Sequence, residues 1–373
     1  MPDPGALETQ ERQALDWFED NRLDLLSSVE EAQRAGRPDD VLRLAALMGE
    51  FFEKRPHWSD AEWLYRLAAD TASETHDLPA LGLMMHNLGT ALRLQSKFAD
   101  AHDAFTAALA ARERADLRKE RAQSLSSDGL VLRKLGELDR AQEAFERALE
   151  IARELDDPFE QARNLNNLGL IARDRGECER ALELFGEALT LREEIGDRRG
   201  ASRTLNNIGQ ALRRLDRPGE AVRAHEAALD IRRNLGDPHG EARTLGNLAE
   251  ALLDLGEIDR AGEILEHALA IRRSLGDPYG EAQTLITMAR AVAAVGTYEA
   301  ARHSLDAALT LARDLEEQET EARALARIAE LSLAQGDLES AEWAGRAAVE
   351  LGALRPVDRR HLEDLLGGPA LGA

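Results

Sequence analysis

Apolar residues in this chain recur at helical spacing, and the helical pattern itself returns every forty residues. In the stretch 164–203, Leu168, Gly169 and Ala172 fall on one face of a first helix, and Ala181, Phe185 and Ala188 fall on one face of a second. A polar turn at Gly176 separates them. The spacing predicts helices at about 158–175 and about 177–195, repeated by forties along the chain. No stretch alternates with the period of two that a strand would show.

Stepping by forty gives strict columns. One reads Gly49, Gly89, Gly129, Gly169, Gly209, Ala249, Ala289 and Ala329. A second holds alanine eight times, from Ala61 to Ala341, and a third holds alanine eight times, from Ala68 to Ala348. Small residues at these points let two helices approach closely, and a larger side chain would overpack the contact at roughly 1–3 kcal/mol. A space-filling column lies between them: Tyr65, Phe105, Phe145, Phe185, His225, Leu265 and Leu305. The junctions are punctuated. Leu235-Gly236-Asp237-Pro238 and Leu275-Gly276-Asp277-Pro278 each supply a left-handed stop, a cap and a first-turn proline. A fixed period of this length marks a solenoid, in which each repeat buries its faces on its neighbours.

The Leu168-Gly169 pair, followed by Ala181, Phe185 and Ala188, resembles the tetratricopeptide repeat. That family is a helix-turn-helix unit of usually 34 residues. A period near forty is similar to the long variant found in kinesin light chains and many bacterial regulators. The resemblance spans about 320 of the 373 residues. It implies an all-α, right-handed α-solenoid superhelix of about eight units, starting near 44, 84, 124, 164, 204, 244, 284 and 324. The expected layout is an unstructured lead over 1–9, a capping helix pair over 10–38, and the solenoid over 44–352. A short helix at Arg359–Leu366 and a frayed tail, 367–373, complete it. The opening Ala14-Leu15-Asp16-Trp17-Phe18-Glu19-Asp20-Asn21-Arg22-Leu23, the Gly36-Arg37-Pro38 turn and Trp58-Ser59-Asp60-Ala61 are similar to the sensor end of actinobacterial multidomain regulators. Those proteins join a nucleotide-binding switch to tetratricopeptide repeats.

Composition narrows the function classes. The net charge of −23 argues against general nucleic-acid binding, which draws on Lys and Arg against phosphates. A single cysteine leaves no internal disulfide framework. The acidic N-terminus has no signal-peptide core, and no apolar run reaches the roughly 18 residues of a membrane helix. A soluble cytoplasmic protein without membrane contact is the expectation. No phosphate loop, no H-E-x-x-H and no metal-ligand spacing occurs among the nine histidines. Cys178 shares a column with Trp58, Phe98, Leu138, Ile258, Tyr298 and Leu338, and His225 sits in the aromatic column, so both read as packing residues. The chain is therefore expected to be no enzyme and to need no metal or cofactor.

The informative residues lie on the free face of each first helix, the one that lines the concave surface in tetratricopeptide superhelices. Asn87, Asn167, Asn207 and Asn247 form one column, which resembles the position where peptide-binding members of the family hold a ligand backbone. Arg93, Arg133, Arg173 and Arg213 form another, with Arg163, Arg203 and Arg243 in a third and Gln210 between. The expectation is a groove centred on 124–253 that binds a protein or an extended acidic peptide, with Asn amides on the backbone and Arg forks on carboxylates. The competing reading pairs these arginines with acids such as Glu160, Asp174 and Glu241. A homo-oligomer built through exposed repeat faces is the alternative function. Near the N-terminus, Trp17, Phe51, Phe52, Trp58 and Trp63 gather before residue 66, either as a plug for the solenoid end or as a docking face.

Overall fold

The computed structural model describes residues 4–354 and 356–366. Among the described residues twenty helices follow one another without a strand. They begin with α1 (Pro4–Asp20), α2 (Arg22–Arg34), α3 (Pro38–Leu47), α4 (Gly49–Lys54) and α5 (Trp58–Glu74). Next come α6 (Leu78–Leu94), α7 (Phe98–Arg114), α8 (Arg118–Lys134), α9 (Leu138–Glu154) and α10 (Pro158–Asp174). Then follow α11 (Cys178–Glu194), α12 (Arg198–Arg214), α13 (Pro218–Asn234), α14 (Pro238–Leu255) and α15 (Ile258–Leu275). The last are α16 (Pro278–Ala294), α17 (Tyr298–Asp314), α18 (Gln318–Ala334), α19 (Leu338–Glu350) and α20 (Pro356–Leu365). Residues 4–9, expected as an unstructured lead, belong to α1. Residues 1–3 and the tail 367–373 lie outside the described residues.

The regularity has a local cause. From α5 onward each junction reverses the chain through one residue with positive φ, such as Gly136 at 80° and Gly236 at 60°. The N–H groups of Gly236 and Asp237 then return to the carbonyls of Arg233 and Arg232, closing the α13 end in a Schellman arrangement. The Asp237 side chain accepts from the Gly240 N–H at 2.8 Å, and Asp277 does the same for Gly280 at 2.9 Å, so stop and cap fall where the sequence places them. The glycine rule is incomplete. His76, Ser96, Asp116, Asp156, Asp216 and Glu316 occupy the same left-handed position. Asp tolerates it through local hydrogen bonding; Glu316 has no such help and carries a steric cost.

The chain divides into two compact units, Met1–Arg175 and Gly176–Ala373. In the first, α6 packs on α8 and α8 on α10; in the second, α12, α14, α16, α18 and α20 touch in succession. The even-numbered helices thus line the inner side of each unit. The alanines of both columns, from Ala61 to Ala341 and from Ala68 to Ala348, are all fully buried. The space-filling column, Tyr65 to Leu305, is at most 2% exposed. A Cβ at Gly89 would stand 2.9 Å from the Phe105 ring, and one at Gly129 would stand 2.7 Å from Phe145. Where the small column turns from glycine to alanine, at Ala249 and Ala289, the residue sixteen positions on turns from a ring to Leu265 and Leu305. At the C-terminal end Ala329 meets Gly345, and Leu366, just after α20, fills the space that a Gly345 side chain would take.

Some of the N-terminal aromatics pack inward. Phe18 stacks on Phe51 at 5.7 Å, Phe52 meets Tyr65 edge-on at 6.1 Å, and Phe51 and Phe52 are buried. Both are therefore withdrawn from the expected docking face. Their rings lie inside the packing of α4 against α1 and α5, with Asp16–Arg55 at 2.6 Å and Glu19–His57 at 2.7 Å closing the outer edge. Trp58 is half-buried; Trp17 and Trp63 are exposed. Among the described residues no helix is long and apolar enough to cross a membrane.

Two stability changes follow. Gly129→Ala should cost roughly 1–3 kcal/mol in urea unfolding, because the fully buried Phe145 ring has nowhere to move. Glu316→Gly should instead raise stability by up to about 1 kcal/mol, since the left-handed penalty exceeds the added chain entropy.

Candidate binding face

The first unit carries Asn87 and Arg93 on α6, Arg133 on α8, and Arg163, Asn167 and Arg173 on α10. Asp174 accepts from Arg133 Nε at 2.6 Å and from Arg173 at 3.2 Å, while Arg163 reaches Glu160 at 3.0 Å. Arg133 and Asp174 thus tie one inner helix to the next. Arg93 makes no ion pair among the described residues. Burial holds its guanidinium below the usual range, with Glu53 opposing. Asn167 is buried and Asn87 half-buried.

The second unit carries Arg203, Asn207, Gln210 and Arg213 on α12, and Arg243 and Asn247 on α14. Arg213 bridges to α14 twice, to Asp254 at 2.6 Å and to Glu250. Burial works against its charge, but the two carboxylates outweigh burial and hold the guanidinium above its usual range. Asp254 also accepts from Arg290 at 2.7 Å. Gln210, Arg213 and Asn247 come together with Glu250, Asp254 and Arg290 around a cavity of about 410 Å³. Arg243 forms no ion pair among the described residues. Desolvation, then the charges of Arg232, Arg203 and Arg272, keep it below the usual range. Glu241 pairs with Arg233 at 2.8 Å rather than with an inner arginine, and the same pair recurs as Arg273–Glu281 at 2.7 Å and Arg313–Glu321 at 2.8 Å.

Behind the inner face of each unit lie buried polar bonds between repeats that the sequence reading missed. A residue of one inner helix bonds a residue thirty-eight positions on in the next: His86 to Ser124 at 3.0 Å, Ser126 to Asn164 at 2.6 Å, and Asn206 to Thr244 at 2.8 Å. Buried arginines near the ends of outer helices join them. Arg112 donates to Ser124 Oγ at 2.6 Å and to the Glu120 carbonyl at 2.5 Å; Arg192 donates to Thr204 Oγ1 at 2.8 Å and to the Gly200 carbonyl. Gly240 leaves room for Arg232, whose Cδ would stand 2.6 Å from a Cβ there. The signal was present: Arg112, Arg192, Arg232 and Arg272 share a column, and Gly200, Gly240 and Gly280 share another.

His225 takes the ring position above Gly209, as expected of a packing residue. Its Nδ1 lies 2.9 Å from Asn206 Oδ1, and its Nε2 is buried without a partner. Burial, then Arg213, lowers its pKa from 6.5 to about 3; burial, then Arg112, does the same for His86. Cys178 is likewise buried and free. Among the described residues no group of His, Cys, Asp and Glu could hold a metal ion.

Two family models, each described as Tetratricopeptide repeat, match the chain, one over residues 120–194 and 200–274 and the other over residues 82–115. The matched residues are thus tetratricopeptide repeats. No curated protein matches it in sequence. Its fold is similar to that of the apo form of the quorum sensor NprR from B. thuringiensis, with a TM-score of 0.67 and 14% identity, covering 93% of this chain and 99% of that one. A Rap protein complexed with Competence and Sporulation Factor gives a TM-score of 0.61 and 15% identity, covering 93% and 99%. A Signal Transduction ATPase with Numerous Domains protein with a tetratricopeptide repeat sensor, from Pyrococcus horikoshii, gives 0.62 and 14%. That match covers 94% of this chain and 53% of the other, so this chain spans about half its length.

The buried histidines give a pH dependence with a defined sign. Folded His225 stays neutral down to about pH 3, whereas the unfolded side chain protonates near 6.5. The unfolded chain therefore binds more protons between those values, and stability is full above pH 6.5 and falls on acidification. Between pH 7 and 5, urea unfolding should show wild type losing about 2 kcal/mol more than His225→Phe.

Proposed function

We propose that the chain is a non-catalytic, regulatory scaffold or sensor that binds a protein or an extended acidic peptide on the inner face of its even-numbered helices. One observation carries the reading: in an acidic chain, Arg93 in the first unit and Arg243 in the second each stand on the inner face of their own unit without an ion pair among the described residues, beside an Asn of the column. Arg133, Arg163, Arg173 and Arg213 already hold carboxylates and supply the frame. Asn87 and Asn247 would hold ligand backbone and the unpaired arginines its carboxylates. The Rap structure, of similar fold, is a complex with Competence and Sporulation Factor, which supports ligand recognition by such a solenoid.

A second reading makes the chain the sensor portion of a larger nucleotide-switch regulator. The match that spans about half of a protein with a tetratricopeptide repeat sensor favours it. The inner-face ligand would then be the signal, and exposed Trp17 and Trp63 would face the remainder of that protein.

Pull-down from native lysate tests the first reading, comparing the wild type with Asn87→Ala/Arg93→Glu and with Arg243→Glu/Asn247→Ala, all matched in helicity. A partner retained by the wild type and reduced at least about tenfold by either variant is the expected result. Equal retention by all three moves the site off the inner face.

A further inference from the structure

The last inner helices of the second unit differ from the others. The arginine column that runs Arg93, Arg133, Arg173 and Arg213 becomes Leu253 and then Ala293. Arginines appear instead on neighbouring columns, as Arg290 where earlier repeats have Gln210 and Glu250, and as Arg327 where they have Asn207 and Asn247. Arg323 continues the column of Arg203 and Arg243. Positive charge is thus drawn to the middle of the face, and an apolar position opens beside it.

Two adjoining cavities result. The polar one, about 410 Å³, reaches from Gln210 to His361 and includes Arg290, Arg323 and Arg327. The second, about 300 Å³, is lined mainly by apolar side chains of α16, α17 and α18, among them Ala293, Leu305 and Leu331. Arg290, Arg327 and Glu330 border both. The polar cavity holds five arginines against four carboxylates in a chain whose net charge is −23. Its outer arginines, Arg290 and Arg327, are held in partly exposed pairs. Asp254 is shared between Arg213 and Arg290, Arg327 pairs with Glu330 at 2.5 Å while 44% exposed, and Arg323 has no ion pair among the described residues. Pairs this exposed are worth about 0–1 kcal/mol, so an incoming carboxylate that takes a guanidinium fork displaces little.

We propose that this end of the second unit binds a peptide in which a carboxylate adjoins an apolar side chain. The carboxylate is held by Arg290, Arg323 and Arg327, and the apolar group enters the cleft at Ala293, Leu305 and Leu331. This site rests on the inner-face binding reading and narrows its ligand. The carboxylate belongs either to an acidic side chain or to the end of a chain.

The test is fluorescence anisotropy of the full chain with labelled, C-terminally amidated peptides containing Glu-Leu in a Gly-Ser context. Partner peptides replace the glutamate by glutamine or the leucine by serine, and a fourth ends in leucine with a free carboxylate and no glutamate. The Glu-Leu peptide should bind at least about tenfold more tightly than either replacement. Arg323→Ala should remove most of that affinity, and Ala293→Trp should abolish the preference for leucine while keeping that for glutamate. Tighter binding of the fourth peptide supports the site and assigns the carboxylate to a chain end. Equal affinities for all four, or none up to about 1 mM, overturn the site. Peptide binding lost in Arg243→Glu but unchanged in Arg323→Ala overturns it too, yet leaves the wider inner-face reading standing. Arg323→Ala alters a partly exposed position, so the test holds even if Ala293→Trp does not fold.

Discussion

The structure depends on how closely the first helix of each repeat approaches the second. That distance is set where a small residue faces a large one: Gly89 against Phe105, Gly129 against Phe145, Gly209 against His225. The two volumes are coupled. Alanine at 249 and 289 goes with leucine at 265 and 305, so the pair fills similar space by a different division. In a solenoid each repeat meets only its neighbours, so a misfit in one pair is not absorbed elsewhere. The fully buried alanines at two further points per repeat keep the helix axes close enough for the same contact to recur.

Polar groups divide into two populations by depth. The deeper one bonds repeat to repeat: Ser126 to Asn164, Asn206 to Thr244, and Arg192 to Thr204. A buried donor left without its partner costs more than the bond contributes, so this ladder penalises any sliding of one inner helix along the next. The shallower population includes the ion pairs from Arg133 to Asp174 and from Arg213 to Asp254, each reaching the following inner helix. These partly exposed pairs contribute less, and among the described residues Arg93, Arg243 and Arg323 form no ion pair at all.

Replacement of one column member changes what a repeat can do without altering its backbone. His225 keeps the ring position of Phe105 and Phe145 but brings a titratable group into the core and a bond to Asn206. Ala293 keeps the helix but removes an arginine, which opens an apolar cleft beside Arg290 and Arg327. The regular scaffold therefore tolerates local chemistry on its inner side as long as the small-against-large contact is preserved.

Much of this was legible in the chain itself. Helix boundaries followed from the forty-residue columns and from Gly236-Asp237-Pro238 and its copies, because stop, cap and first turn act through bonds only a few residues apart. Burial of His225 followed from its column, whose other members are buried too; Cys178 is buried although the rest of its column is half-buried or, at Leu338, exposed. Other features required the folded chain. For Phe51 and Phe52 the chain left both a plug and a docking face open, and only the packing of α4 against α1 and α5 buried them. The buried ladder and the division of the arginines into paired and unpaired were likewise undecided, since Arg213 meets Asp254 and Asn206 meets Thr244 across some forty residues of sequence. The sequence by itself determined where each helix starts, stops and hides its apolar face, which are local matters. Tertiary structure decided which polar side chains are already spent on the next repeat, because that depends on the spacing of helices that only stacking brings together.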